Sequence, residues 1–167
     1  WDRPASVGET GSRLFDSEGV ATAEMPIVEN GVVKEYFVNT YMSRKMGVEA
    51  TVEDATRPVV LPCFAPSVAE PVEATCGKEE LMRIVGEGIL VTGFNGGNSN
   101  SATGDFSFGV EGFLFKDGKI VHPVREMLIT GNLLTLWNNL LAAGNDARFC
   151  KSKLIPTLAF GNVDFSA

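Results

Sequence analysis

Apolar and polar positions around Asp117-Gly118 predict a β-hairpin, the best-defined element of the chain. Asp-Gly suits a two-residue type I′ turn, because both central residues must take a positive φ. Phe106–Lys116 and Lys119–Val124 are therefore predicted to be the two arms. A bulge at Glu111-Gly112 would bring the phenylalanines on either side of it to one face of the first arm.

A second tight reversal is predicted at Asn30-Gly31, between the arms Met25–Glu29 and Val32–Asn39. Apolar and polar residues again alternate along the second arm. Tyr41–Met46 follows as one helical turn, and the glycine after it is a common helix terminator.

Two segments have helical periodicity, Lys78–Glu87 and Leu133–Ala143. The first begins with Glu79 and Glu80, which the helix dipole favours in a first turn. The second repeats apolar side chains at helical spacing along one face: Leu133, Leu136, Trp137, Leu140 and Leu141.

The remaining apolar runs are short and predict strands at Val59–Cys63, Ile89–Thr92 and Met127–Thr130, and one final strand from Leu158–Phe160 and Val163–Phe165. Glu49–Glu73 is rich in proline and is predicted to be an extended connection. A polar, glycine-rich loop is predicted over Gly93–Gly104. This order of elements favours a strand-rich α+β fold with mainly antiparallel pairing, in a single domain spanning residues 1–167.

Composition is that of an ordinary globular protein, with 44% hydrophobic and 21% charged residues. A net charge of −7 without a lysine or arginine cluster argues against binding to nucleic acid. No apolar run approaches the roughly 20 residues that a membrane-spanning helix needs. The start at Trp1 is neither a methionine start nor a signal peptide, so we expect a fragment or a processed product.

The three cysteines, Cys63, Cys76 and Cys150, form no CxxC pair. An odd count argues against a disulfide scaffold and favours a reduced, cytoplasmic setting, although a Cys63–Cys76 bridge remains an alternative. Lys151 and Lys153 would favour the thiolate form of Cys150. This cysteine is therefore a candidate nucleophile or metal ligand, against the alternative of a small buried apolar residue.

The predicted loop Gly93–Gly104 could cradle an anion or a peptide backbone. It is not a P-loop, because no Gly-Lys-Ser/Thr follows it. It is not a dinucleotide fingerprint either, because a hairpin rather than a helix comes next. Its composition alone favours a flexible surface loop.

His122 is the only histidine, so this chain alone cannot form a His-Glu-x-x-His zinc helix. A structural or exposed imidazole is favoured, and no Gly-x-Ser-x-Gly elbow is present to complete a serine triad. Asp16 and Glu18 could bind a metal from one strand face, but in a turn they would accept backbone amides. For Asp105 a turn role is likewise favoured.

An ordered set of short blocks over nearly the whole chain resembles the C-terminal domain of the TldD/PmbA family, also called modulator of DNA gyrase proteins. No single block is specific, but their order and spacing are. The blocks are Phe15–Val20, Ile27–Val32, Thr40–Gly47, Gly88–Thr92, Thr103–Ser107, Gly112-Phe113, Asp117–Ile120, His122–Val124, Ile129–Asn132 and Gly144–Asp146. The form of Thr40–Gly47 and the short tail after Asp146 resemble the PmbA (TldE) branch more than the TldD branch.

The resemblance implies that N-terminal domains precede this region in the parent protein. It also implies that TldD-like and PmbA-like chains pair into a metallopeptidase that cleaves unfolded or flexible peptides. The family's zinc lies in the TldD-like chain, on a His-Glu-x-x-x-His helix from an upstream domain and a C-terminal cysteine. Cys150 lies near the position of that cysteine in different surroundings, and is a candidate ligand by resemblance only. One sulfur does not make a stable zinc site, so this chain alone is expected to bind no zinc and to cleave no peptide.

Three hypotheses stay open, of which the first two follow from the resemblance and the third has no link to a peptidase. In the first, the chain is the C-terminal domain of a PmbA/TldE-like non-catalytic subunit that assembles with a TldD-like subunit, or with itself, and helps line a peptide channel. The peptide-lining candidates are then Gly96, Gly97, Asn98, Thr103, Gly104 and Asp105. In the second, the parent is a TldD-like zinc metallopeptidase with Cys150 as a ligand. In the third, the chain is a free-standing binding or structural module.

Overall fold

The computed structural model describes residues 1–66, 68 and 76–166. Part of the proline-rich segment Glu49–Glu73 lies outside these residues. Contacts group the chain into two compact units. Unit 1 comprises Trp1–Leu61 and Ala147–Pro156, and unit 2 comprises Pro62–Asp146 and Thr157–Ala167. The expectation that residues 1–167 form one domain stays a prediction.

Unit 1 contains the second predicted reversal, with Asn30 at φ 50° and Gly31 at φ 75°. The flanking strands, β1 (Val28–Glu29) and β2 (Val32–Val33), are much shorter than the predicted arms. The reason is that this hairpin forms a two-stranded sheet of its own with exposed residues, and such a hairpin gains little from packing.

Helix α1 (Thr40–Met46) confirms the helical turn predicted after this hairpin. The side chain of Asn39 caps its first turn by accepting a hydrogen bond from the Met42 amide at 2.9 Å. Gly47 ends it in the left-handed conformation, at φ 68°.

Buried polar groups organise the rest of unit 1. Asp2 is buried, and its carboxylate accepts backbone hydrogen bonds from Thr56 at 3.1 Å and Arg57 at 2.6 Å. The buried side chain of Arg57 forms an ion pair with Glu9. Apolar side chains complete this core: Met25, Val52, Val59 and Leu154.

Unit 2 contains the other elements, and the strand pairs among its described residues are antiparallel. A three-stranded sheet has the order β3-β7-β8, and a four-stranded sheet has the order β4-β5-β6-β9. The elements are β3 (Cys63–Phe64), α2 (Lys78–Val85), β4 (Glu87–Ser99), β5 (Asp105–Lys116), β6 (Lys119–Asn132), α3 (Leu133–Asn138), β7 (Leu140–Ala143), β8 (Leu158–Phe160) and β9 (Asp164–Ser166). The α+β, mainly antiparallel fold is confirmed.

The hairpin at Asp117-Gly118 is also confirmed, with φ values of 50° and 75° in the turn. The pairing of β5 with its neighbours is irregular at Glu111-Gly112, where a bulge was predicted. The additional, unpaired residues lie on β4 and β6 rather than on β5. Opposite Glu111, β6 contributes Arg125-Glu126, and β4 inserts Thr92. Residue 112 is glycine for another reason, since a Cβ there would lie 2.0 Å from the Leu90 carbonyl oxygen.

The two main predicted helices are shorter in the structure. Helix α2 ends at Val85 with Gly86 as its C-cap, and β4 already begins at Glu87. The predicted helix over residues 133–143 is wrong in its second half, because α3 ends at Asn138. Strand β7 takes the remaining residues and pairs with both β3 and β8. Tertiary pairing overrides helical spacing in this segment.

The core of unit 2 lies where α2 meets the three-stranded sheet. Cys76, Leu81 and Ala142 are buried together, and Phe64 and Ile84 pack against them. Burial raises the pKa of the Cys76 thiol, and the charges of Glu80 and Asp146 raise it further. All three cysteines are free, so the alternative Cys63–Cys76 bridge does not form.

Candidate functional site: the glycine-rich edge of the four-stranded sheet

The segment predicted to be a glycine-rich loop is mostly a strand. Gly93–Ser99 continues β4 and pairs with β5 as far as Ser99 opposite Phe106, with a register shift between Phe94 and Gly97 that leaves Asn95 and Gly96 without a paired residue on β5. Only residues 100–104 form a turn before β5 begins at Asp105. The sequence does not indicate this strand, because the segment is rich in glycine and asparagine, which are depleted in strands. We call Gly93–Asp105 the glycine-rich edge.

All six peptide-lining candidates lie together at this end of the sheet. Gly96, Gly97 and Asn98 are on β4, whereas Thr103, Gly104 and Asp105 form the end of the turn and the start of β5. Asn98 pairs with Ser107, two residues after Asp105. Whether these residues contact a peptide stays a prediction.

The outer side of β4 is open among the described residues, because β4 is the terminal strand of its sheet. A terminal strand presents backbone N–H and C=O groups that no neighbouring strand satisfies. Gly96 is at φ 82°, where a Cβ would meet nothing within 4 Å. At Gly97 a Cβ would lie 2.4 Å from the Ser107 carbonyl oxygen, so contact with β5 requires glycine there.

The turn after β4 is closed by hydrogen bonds. The Asn100 amide donates to the Asp105 carbonyl at 2.8 Å, and the Gly104 amide donates to the Asn100 carbonyl at 2.7 Å. The Asn132 side chain then donates to the Thr103 carbonyl at 2.8 Å and to the Asp105 carboxylate at 2.9 Å. The glycine-rich edge is therefore held by β6 as well as by β5.

Asp105 has the turn role that its sequence context favours. Hydrogen bonds from the Asn132 side chain and the Thr103 hydroxyl lower its pKa, and burial opposes them only in part. Its carboxylate is thus charged and already bonded, which suits structure better than proton transfer.

Asn132 is the residue of this site that sequence reasoning missed. Its position before a leucine-rich segment indicates a helix N-cap, and its Oδ1 does accept from the Leu134 amide at 3.0 Å. Its second role, holding the turn at Thr103 and Asp105, depends on β6 pairing with β5. No local sequence signal shows that pairing.

The turn role of Asp16 in unit 1 is confirmed, whereas the Glu18 carboxylate bonds an amide 22 residues away rather than one in its own turn. Asp16 Oδ1 accepts from the Glu18 and Val20 amides at 3.0 and 2.9 Å. Glu18 Oε2 accepts from the Thr40 amide at 2.8 Å.

The donor set of the described residues does not fit a zinc site. No group of three or more His, Cys, Asp or Glu residues there could hold a metal ion. Cys150 is an exposed cysteine in a turn of unit 1. His122 is exposed on β6, with its Nδ1 3.0 Å from the Pro123 carbonyl oxygen. The side chains that the structure describes therefore do not make up a zinc site by themselves.

A family model described as the PmbA/TldA metallopeptidase C-terminal domain matches residues 1–167. The chain belongs to the PmbA/TldD family. The metalloprotease PmbA homolog of Haemophilus influenzae is 36% identical over 145 residues, covering 87% of this chain and 30% of the relative. A metalloprotease TldD homolog from Buchnera aphidicola is 27% identical, and the match covers 84% of this chain and 29% of that relative. The chain is thus closer to the PmbA branch, and it spans about a third of the length of these relatives.

Solved structures of the PmbA/TldD family share the fold. A protein from Bacteroides thetaiotaomicron, described as a candidate modulator of DNA gyrase, is 47% identical with a TM-score of 0.85, over 99% of this chain and 35% of that one. TldE from Thermococcus kodakarensis has a TM-score of 0.76 at 22% identity, over 99% of this chain and 39% of that one. At this identity the match shows likeness of fold alone. None of the helices in the described part of the chain has the length and apolarity that crossing a bilayer requires.

Proposed function

We propose that this chain is the C-terminal domain of a PmbA/TldE-like, non-catalytic subunit of a TldD/TldE-type metallopeptidase. In this proposal the subunit assembles with a TldD-like chain, which holds the zinc, and the domain helps line the channel for a flexible peptide. Greater identity to relatives named PmbA than to those named TldD supports the choice of subunit.

The observation that carries the peptide-binding part is the open outer side of β4. An extended peptide can add to a terminal strand through main-chain hydrogen bonds, which do not depend on side-chain identity. The small residues of the glycine-rich edge leave that backbone accessible, with Gly96, Gly97 and Asn98 all exposed. Strand addition therefore suits flexible peptides of many sequences, and side chains beside the strand can add a preference among them.

Co-purification tests the proposed assembly. A tagged form of the full-length protein is expressed with the TldD-like chain of the same organism and passed over a sizing column. We expect the two chains to elute together in a stable complex. A stable full-length protein that never associates with the TldD-like chain would count against the proposal, and self-association alone would favour a homo-oligomer.

A second candidate function is that the parent protein is itself a zinc metallopeptidase with Cys150 as a ligand. The name metalloprotease carried by the PmbA relatives favours it, as does the exposure of Cys150. Zinc content of the full-length protein, compared with that of its Cys150→Ser variant, distinguishes the two. Unchanged zinc removes Cys150 from any site, whereas loss of zinc supports this second function.

A further inference from the structure

Phe94 is the only large apolar residue between Gly93 and Gly104. It lies on β4, at the open side of the four-stranded sheet, and is 67% exposed. A single exposed phenylalanine is common on protein surfaces and indicates nothing alone. What distinguishes Phe94 is the arrangement of the residues behind and beside it.

Three aromatic rings form a row that ends at Phe94. The Phe94 and Phe108 rings meet edge to face, with centroids 5.8 Å apart at 77°. Phe108 in turn stacks on Phe106 at 6.0 Å and 22°, and Phe106 is buried. Both geometries are favourable for aromatic pairs, so Phe94 is held against β5 rather than free in solvent. The aromatic row thus connects the interior of unit 2 to the open side of β4.

The backbone around Phe94 carries few side chains that would obstruct an approaching strand. Gly93 precedes it, and Gly96 and Gly97 follow one residue later. Asn95 stands between them, with its side-chain amide 3.3 Å from the Glu111 carboxylate, which draws it toward β5. A strand that approaches β4 therefore meets backbone with few side chains, bulged just after Phe94, beside one aromatic ring that packs on β5.

We propose that Phe94 gives this site a preference for certain side chains of the bound peptide. This inference rests on the proposed capture of an extended peptide by β4. The peptide residue that lies beside Phe94 on the same sheet face is aromatic or large and aliphatic. Cross-strand neighbours have Cβ atoms about 4.5–5.5 Å apart, and aromatic or β-branched partners of an aromatic residue are the favourable ones. A charged residue there would lose hydration against the aromatic row without gaining a partner.

Short, unstructured, fluorescently labelled peptides test this preference. They are identical except for a central Phe, Leu, Ala or Glu, and their binding to the full-length protein is followed by fluorescence anisotropy. We expect the Phe and Leu peptides to bind about fivefold more tightly than the Ala peptide, and the Glu peptide to bind most weakly.

Variants assign the preference to Phe94. Phe94→Thr keeps a β-branched residue on the strand and is expected to make the Phe and Ala peptides bind equally, with little change for the Ala peptide. Phe94→Tyr keeps the ring and should retain the preference even if Phe94→Thr folds poorly. Phe149→Thr is the matched control, because Phe149 is 75% exposed and does not belong to the four-stranded sheet.

The outcomes separate this inference from the proposed function. A preference that survives in folded Phe94→Thr, or that is lost in Phe94→Tyr, overturns the role of Phe94. Equal binding of all four peptides to the wild type also overturns it, but leaves strand capture intact. If no peptide binds, strand capture itself has failed, and the preference falls with it.

Discussion

The carboxylate of Asp16 accepts three backbone hydrogen bonds, from the amides of Glu18, Val20 and Glu53. Burial raises the pKa of this carboxyl, but the amide bonds from Val20, Glu53 and Glu18 lower it by more, so the pKa lies below its ordinary value of 3.8. Its turn role was foreseeable, because Asp and Glu in turns accept nearby amides. The bond from Glu53 was not, because it spans 37 residues of sequence.

Asp16→Asn should lower the melting temperature by a few degrees near neutral pH, because an amide oxygen and an NH₂ group cannot accept all three bonds. The pKa of the Asp16 carboxyl is lower in the folded than in the unfolded chain, so its charged form stabilises the fold at any pH above the unfolded-state pKa. This stabilisation is lost as the pH falls toward the folded-state pKa and the carboxylate is protonated. The difference from the wild type should therefore shrink below about pH 4. Thermal melts from pH 7 to pH 3 measure it, with Glu29→Gln on the exposed β1 as control. A constant difference across this range would contradict the assignment.

Gly112→Ala is expected to be severe, because the new Cβ would lie 2.0 Å from the Leu90 carbonyl oxygen inside the β4–β5 pair. We expect the free energy of unfolding to fall by about 2 kcal/mol or more, as in other overpacked interiors. Urea denaturation measures the loss. Gly161→Ala is the control, since a Cβ there meets the Leu141 side chain at an ordinary 3.4 Å. Equal stability of the two variants would contradict the close approach.

At the scale of elements, local signals located the turns and two of the three helices among the described residues. Asn-Gly and Asp-Gly fixed both hairpin turns, and glycines at 47 and 86 ended α1 and α2. The errors fall where distant partners decide the structure. Leu140–Ala143 fits helical spacing but becomes a strand between β3 and β8, and Gly93–Ser99 becomes a strand because β5 pairs with it.

The two hairpin turns should differ in their tolerance of a side chain, although Gly31 and Gly118 share a φ of 75°. Gly118→Ala strains the turn between β5 and β6, where a Cβ would also lie 3.3 Å from the Arg83 Cβ, and should cost about 1–2 kcal/mol. Gly31→Ala should cost under about 0.5 kcal/mol, because its two-residue arms can fray and release the strain. Urea denaturation of both variants measures the difference. Equal losses would show that the small hairpin is as firmly held as the long one.

The chain as a whole is acidic and strand-rich and belongs to the PmbA/TldD family, and we propose for it a peptide-binding role within a larger assembly. Family membership was recognisable from the order of short blocks along the sequence, and the family model over residues 1–167 confirms it. The six peptide-lining candidates were named from the sequence, and their contact with a peptide is still a prediction. The sequence indicated a glycine-rich loop, whereas the structure has a terminal strand whose open side suits an extended peptide.

We propose that this protein contributes peptide binding and leaves zinc-dependent cleavage to a TldD-like partner. The most direct test measures hydrolysis of a flexible peptide by the full-length protein alone and by an equimolar mixture with that partner, with zinc quantified in each. We predict cleavage by the mixture, and neither cleavage nor stoichiometric zinc in the full-length protein alone. Zinc-dependent cleavage by the full-length protein alone, lost in Cys150→Ser, would contradict the account.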